Sequence, residues 1–136
     1  MAYLLDTNIF IAALKAHPAV RIRLERTPAA ALILSPVVLG ELETGVEKSA
    51  RVEYNRARLA TVVEALALVP VDAPASHAYA RIRADLERKG TPIGANDLWI
   101  AAQAIALGVT LVTENIRVFS RVEGLIVENW LEAEVP

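Results

Sequence analysis

The chain has 136 residues, 54% of them hydrophobic, no cysteine and a formal net charge of −2. That length and apolar content argue for one domain, 1–136, built on one core, and exclude a disordered chain. The missing cysteines exclude a disulfide scaffold, thiolate zinc and thiol catalysis and fit a reducing, cytoplasmic setting, while the near-neutral charge speaks against nucleic-acid binding by bulk charge alone.

The first residues, MAYLLDTNIF, lack the basic start, long apolar segment and small-residue cleavage site of a signal peptide. The richest apolar stretches, Ala29–Leu39 and Glu64–Val71, are interrupted by Pro, Ser or charge. They are too short to span a bilayer, so no membrane association is expected. A mean hydropathy of +0.38 therefore signals buried elements or a large partner interface.

In chain order, Tyr3-Leu4-Leu5 is a short apolar run ending at Asp6. It reads as a strand covered on both faces, because such strands lack polar alternation. Asp6, Thr7 and Asn8 are good N-cap residues, and Ile9, Phe10, Ala13 and Leu14 follow at helical spacing. Pro18 opens a second helix through Arg26. Ala31–Leu34 is a second strand. Ser35 caps and Pro36 starts a helix running to about Lys48, and Arg51–Ala67 is a long amphipathic helix. Leu68–Val71 reads as a third strand and Pro74–Lys89 as a helix ended by Gly90. After the turn at Thr91-Pro92-Ile93-Gly94, Ala95–Leu107 is helical and stops at Gly108. Val109–Thr113 is a fourth strand and Leu125–Val127 a candidate fifth. Alternating strands and helices predict an α/β layer fold with a mostly parallel sheet of four to five strands.

Three of the 16 acidic residues stand apart from solvated helix faces. Asp6 closes a strand, and ligands of open α/β sheets bind beyond the carboxyl ends of strands; it also suits an N-cap. Glu41 shares a helical face with Val37 and Val38, where a carboxylate is costly unless paired or metal-bound; alternatively it lies at the margin of a side defined by Leu39 and Leu42. Asp97 shares a face with Ile100, Ala101, Ala104 and Ile105. It also falls in a first helical turn, where it would complement the dipole with Asn96 as cap.

Parallel connections would bring these three junctions to one edge of the sheet. Two carboxylates about 4 Å apart repel by about 4 kcal/mol at an effective dielectric near 20. Proton uptake or a cation must relieve this. An all-oxygen cluster suits Mg²⁺ or Mn²⁺, ions that retain waters, engage phosphate and assist phosphodiester displacement.

Four stretches carry a family likeness: Leu4-Leu5-Asp6-Thr7-Asn8, Ser35 to Leu42, Pro92 to Ala101, and Leu111-Val112-Thr113-Glu114-Asn115. In this order and spacing the chain resembles the VapC-like toxins of the PIN-domain family from end to end. The resemblance implies a three-layer α/β/α PIN-like domain and Mg²⁺- or Mn²⁺-dependent cleavage of RNA. It also implies a homodimer and a cognate antitoxin that wraps the toxin and blocks its site. Asp6, Glu41 and Asp97 match the family's principal acids, the catalytic and metal-holding set. Thr7, Asn8 and Thr113 match polar residues that support the site. A fourth acid expected shortly after Asn115 is replaced by Val118. Glu114 would compensate, or Asn115 would reach a metal through water.

Two other readings compete. An aspartyl-phosphate enzyme would carry a second acid where Asn8 stands and a phosphate-clamping Lys after a later strand, and neither is found. A decayed PIN-like module that only binds RNA or protein would explain Val118 but not the three retained acids. His17 and His77 lack zinc-ligand spacing, and Trp99 and Trp130 read as packing residues. Candidate partner-contact anchors are Ile9, Leu14, Leu59 and Val63.

Overall fold

Leu4 and Leu5 are both buried, as are Leu111 and Val112, so each of these short runs is covered on two faces. In the computed structural model, which describes residues 1–132, they form β1 (Tyr3–Leu5) and β4 (Thr110–Val112). With β2 (Leu32–Leu34), β3 (Ala67–Leu68) and β5 (Val127–Glu128) they make one sheet of order β3-β2-β1-β4-β5. Every pairing is parallel, with Tyr3 beside both Leu32 and Thr110, Ile33 beside Ala67, and Leu111 beside Val127.

Parallel neighbours require crossovers. Here these are α1 (Thr7–Leu14), α2 (Pro18–Arg26), α3 (Pro36–Glu47), α4 (Val52–Glu64), α5 (Ala73–Arg88), α6 (Ala95–Leu107) and α7 (Ile116–Phe119). The result is a three-layer α/β/α sandwich, as the likeness to PIN domains implied. The chain steps outward from β1 to β2 and β3, then returns to the other side of β1 for β4. Strand order thus reverses between β1 and β4, and in open parallel sheets ligands bind beyond the carboxyl ends of the strands at such a point.

The helix starts follow local chemistry. Asp6 Oδ1 accepts from the Thr7 N–H at 2.8 Å, Ser35 Oγ from Val37 N–H at 3.2 Å, and Asp72 Oδ1 from Ala75 N–H at 3.1 Å. Each cap satisfies a donor the helix cannot, worth about 1 kcal/mol. Leu4, Ile9, Leu34, Val38, Ile100 and Phe119 are fully buried in the core. Truncating one of the leucines to Ala would cost about 2–5 kcal/mol.

Several boundaries differ from those read in the sequence. Ala29–Ala31 is a 3-10 turn, so β2 begins only at Leu32. α4 ends at Glu64, and the third strand is Ala67–Leu68 rather than 68–71, because it aligns with Ile33 and Leu34 of β2. The fifth strand is displaced to Val127–Glu128, which pairs with Leu111 and Val112. Gly94, not Asn96, is the N-cap of α6. Of the proposed contact anchors, Ile9 and Leu59 are core residues, while Leu14 and Val63 are half-buried. Helical spacing located the apolar faces of α1 and α4; Ile9, Leu59 and Val63 pack onto the core, whereas Leu14 lines a groove between α1, α3 and α4.

Candidate active site

Asp6 leaves β1 and caps α1, and Thr113 leaves the neighbouring β4. Asp6 N–H donates to the Val112 carbonyl at 2.8 Å, which closes the two strand ends together. The Thr113 hydroxyl then donates to Asp6 Oδ2 at 2.8 Å. With Oδ1 held by the Thr7 N–H, both oxygens of a nearly buried carboxylate have a donor. Thr113 Oγ1 in turn accepts from the Asn115 N–H at 3.0 Å, so the chain after β4 fixes the hydroxyl's own orientation.

Glu41 comes from the second turn of α3, below buried Val38. Thr7 Oγ1 donates to Glu41 Oε1 at 3.0 Å. Thr7 therefore links two acids: its backbone holds Asp6 and its side chain holds Glu41.

Asp97 sits in the first turn of α6, half-buried. Burial raises its pKa above the usual carboxylate range, and the charges of Asp6 and then Glu41 raise it further. The positive end of the α6 dipole acts in the opposite sense. No hydrogen bond or ion pair reaches the Asp97 carboxylate among the described residues. The helix that carries it is firmly held: Trp99 stacks on Tyr79 of α5 with centroids 4.1 Å apart, and Gln103 Nε2 donates to the Val69 carbonyl at 2.7 Å.

The fold thus brings together Asp6, Glu41 and Asp97 with Thr7 and Thr113. The other expected members differ. Asn8 and Glu114 are exposed, and Glu114 is not among the charges acting on Asp97. Asn115 contributes its backbone N–H. Val118 is half-buried on α7, where an aliphatic side chain offers no donor.

The donor set is all oxygen and negatively charged, as a hard dication requires. Among the described residues, no three His, Asp or Glu side chains converge closely enough to clasp one ion unaided. One or two of these carboxylates with waters would complete the shell, which is how Mg²⁺ is usually held. The lone Asp97 carboxylate facing two like charges fits that need.

Sequence reading missed a groove of about 350 Å³ that reaches Glu41 between α1, α3 and α4, with Lys15, Asn55 and Arg58 on its rim. It is built by helices distant in sequence, so no single segment announces it. A larger depression of about 740 Å³ between α3 and α4 includes none of the three acids, so size alone does not mark the site.

A parallel sheet with carboxylates gathered at its switch point defines a class, and comparison with known proteins agrees with it. The PIN domain family matches residues 3–125, and the chain belongs to that family. It is 42% identical over 132 residues to ribonuclease VapC2 of Rickettsia felis, covering 96% of this chain and 98% of that one. It is 40% identical over 131 residues to the tRNA(fMet)-specific endonuclease VapC of Shigella flexneri, with coverage of 96% and 98%. Among solved structures, it resembles VapBC2 of Rickettsia felis bound to a DNA fragment from their promoter, with TM-score 0.89, 41% identity and coverage of 96% and 99%.

Proposed function

We propose that this protein is a metal-dependent endoribonuclease and the toxin of a toxin–antitoxin pair. The observation that carries the reading is the Asp97 carboxylate, half-buried beside Asp6 and Glu41 with no basic residue among the described ones acting to neutralise it. Such a charge arrangement is costly for a fold and useful only toward a cation. The ribonuclease and endonuclease names of the relatives agree with it.

Asp6, Glu41 and Asp97 would hold Mg²⁺ or Mn²⁺. When bound, the ion offsets the phosphodiester's charge and makes a coordinated water more acidic. The protein's part is positional. Thr113 and the Thr7 N–H hold the two oxygens of Asp6, and the Thr7 hydroxyl holds Glu41, so the acids present fixed lone pairs and pay little reorganisation on binding. With Val118 in place of an acid and Glu114 turned to solvent, the reading is of one ion rather than two.

The substrate is RNA. Incubation of purified protein with a tRNA(fMet) transcript and with total RNA, in Mn²⁺, Mg²⁺ or EDTA, tests the reading when the new ends are mapped. Metal-dependent cuts absent from the Asp97→Asn protein are expected; RNA left intact under every condition would refute it.

The partner is a cognate antitoxin, as the VapBC complexes among the structural relatives suggest, and the toxin itself is a homodimer working in the cytoplasm. Exposed Ile11 and Ile22 on α1 and α2 offer apolar surface for such contacts. No helix among the described residues is long and apolar enough to cross a membrane.

A further inference from the structure

Several cations are already paired: Arg21, Arg56, Arg83 and Lys89 each contact a carboxylate. Of those with no carboxylate partner among the described residues, Lys15, Arg51 and Arg58 are drawn together by shared contacts. These three gather on one side of the molecule. Arg51 caps α4, and Tyr54 and Arg58 follow at intervals of three and four, which places them on one helical face. Arg51 Cζ lies 4.0 Å from the Tyr54 ring centroid and Arg58 Cζ 5.8 Å from it. Tyr54 is nonetheless 49% exposed as a residue.

Arg58 is not a loose surface charge. Its Nη2 donates to the Leu14 carbonyl at 2.8 Å, at the last turn of α1, next to Lys15. Lys15 and Arg58 share the rim of the groove that reaches Glu41. The eight residues of α1 span about 12 Å, and Asp6 caps the start of the helix. It therefore acts as a spacer between the acid cluster and the cations. Exposed π surface layered with guanidinium groups, beside uncompensated positive charge, is the combination that binds single-stranded nucleic acid.

We infer that Lys15, Arg51, Tyr54 and Arg58 form a clamp for a single-stranded segment of the RNA substrate, gripping its phosphates and stacking a base on the Tyr54–Arg51 layer at a distance from the scissile bond. The inference rests on the ribonuclease reading and adds where the strand runs: from the acids, along α1, to the face of α4. RNA is favoured over a protein partner because three cations gather here around an open aromatic ring, a charge pattern that phosphates complement.

The test is fluorescence anisotropy of the uncleaving Asp97→Asn protein with a labelled random-sequence single-stranded RNA over a range of salt. Arg51→Gln and Tyr54→Leu should each weaken binding about tenfold, while Tyr54→Phe, which keeps the ring, should not. Combining Arg51→Gln with Lys15→Gln should flatten the log–log salt slope by about 0.7 for each phosphate contact removed. Arg58 is left intact because its bond to Leu14 also joins two helices. In protein that retains Asp97, the same substitutions should raise KM more than they lower kcat, with unchanged circular dichroism. Unchanged affinity and salt slope in these variants, with the parent binding and cutting RNA, would overturn the clamp alone. So would variants that lose affinity only for a protein partner. A parent that neither binds nor cuts RNA would overturn the clamp and the ribonuclease reading together.

Discussion

The Thr113 hydroxyl donates to Asp6 Oδ2 at 2.8 Å, although the two residues are 107 positions apart in the chain. Both are buried. The bond exists because β1 and β4 are parallel neighbours whose carboxyl ends coincide, with Leu5 beside Val112. A hydrogen bond to a charged group in such surroundings is worth about 1.5–3 kcal/mol, and it sets the direction in which Asp6 presents its oxygens.

Thr113→Val keeps the shape of the side chain and removes the donor. Cleavage should fall about tenfold to a hundredfold, mostly in kcat, as for other groups that orient a ligand from behind. Thr113→Ser should recover most of the loss. Equal impairment by Val and Ser would show that packing, not the hydroxyl, matters.

Asp97→Asn should abolish most cleavage, by well over tenfold, while leaving the fold intact. The substitution should also stabilise the metal-free protein. Burial, then Asp6 and Glu41, hold the Asp97 pKa above its ordinary value, so the ionised form is disfavoured in the folded state. The parent therefore loses stability as pH rises through that raised pKa. The variant's higher Tm should be seen near neutral pH, shrink as the pH falls through the raised value, and vanish below the ordinary Asp value of about 3.9. Thermal melts in EDTA at several pH values measure this; a variant that melts lower than the parent at neutral pH would contradict it.

Chelation should stop cleavage without unfolding the protein, and Mn²⁺ or Mg²⁺ should restore it. Metal at a hundredfold excess over its Kd adds about 2.7 kcal/mol to the folded state. The parent's Tm should rise accordingly, and the Asp6→Asn protein should gain little. A metal-induced rise of equal size in both proteins would place the ion elsewhere.

Gly108 ends α6 at φ 67°, and nothing lies within 4 Å of where a Cβ would stand. Gly108→Ala therefore meets no clash and carries only the left-handed backbone penalty of about 1–2 kcal/mol. The Tm should drop by roughly 4 °C or more, with cleavage per folded molecule unchanged. An unaltered melt would mean the turn relaxes to another conformation.

The sequence by itself determined most of the elements and their chemistry, though not the short α7, Ile116–Phe119. Continuous apolar runs at Leu4-Leu5 and Leu111-Val112 marked strands buried on both faces. Ser35-Pro36 and Gly108 marked helix ends, because capping and left-handed φ depend on a few adjacent residues. It also exposed Asp6, Glu41 and Asp97 as carboxylates beside apolar neighbours. Only the tertiary structure decided which of their polar companions mattered. Thr7 and Thr113 hold acids, whereas Asn8 and Glu114 face solvent, a distinction set by side-chain direction at strand and helix ends. It decided that Ile9 and Leu59 are core rather than contact surface, since an apolar helical face looks the same whether it meets its own sheet or another molecule. The reversal of strand order between β1 and β4 was likewise invisible in one dimension. It arises from long-range pairing, and it alone makes neighbours of Asp6 and Thr113.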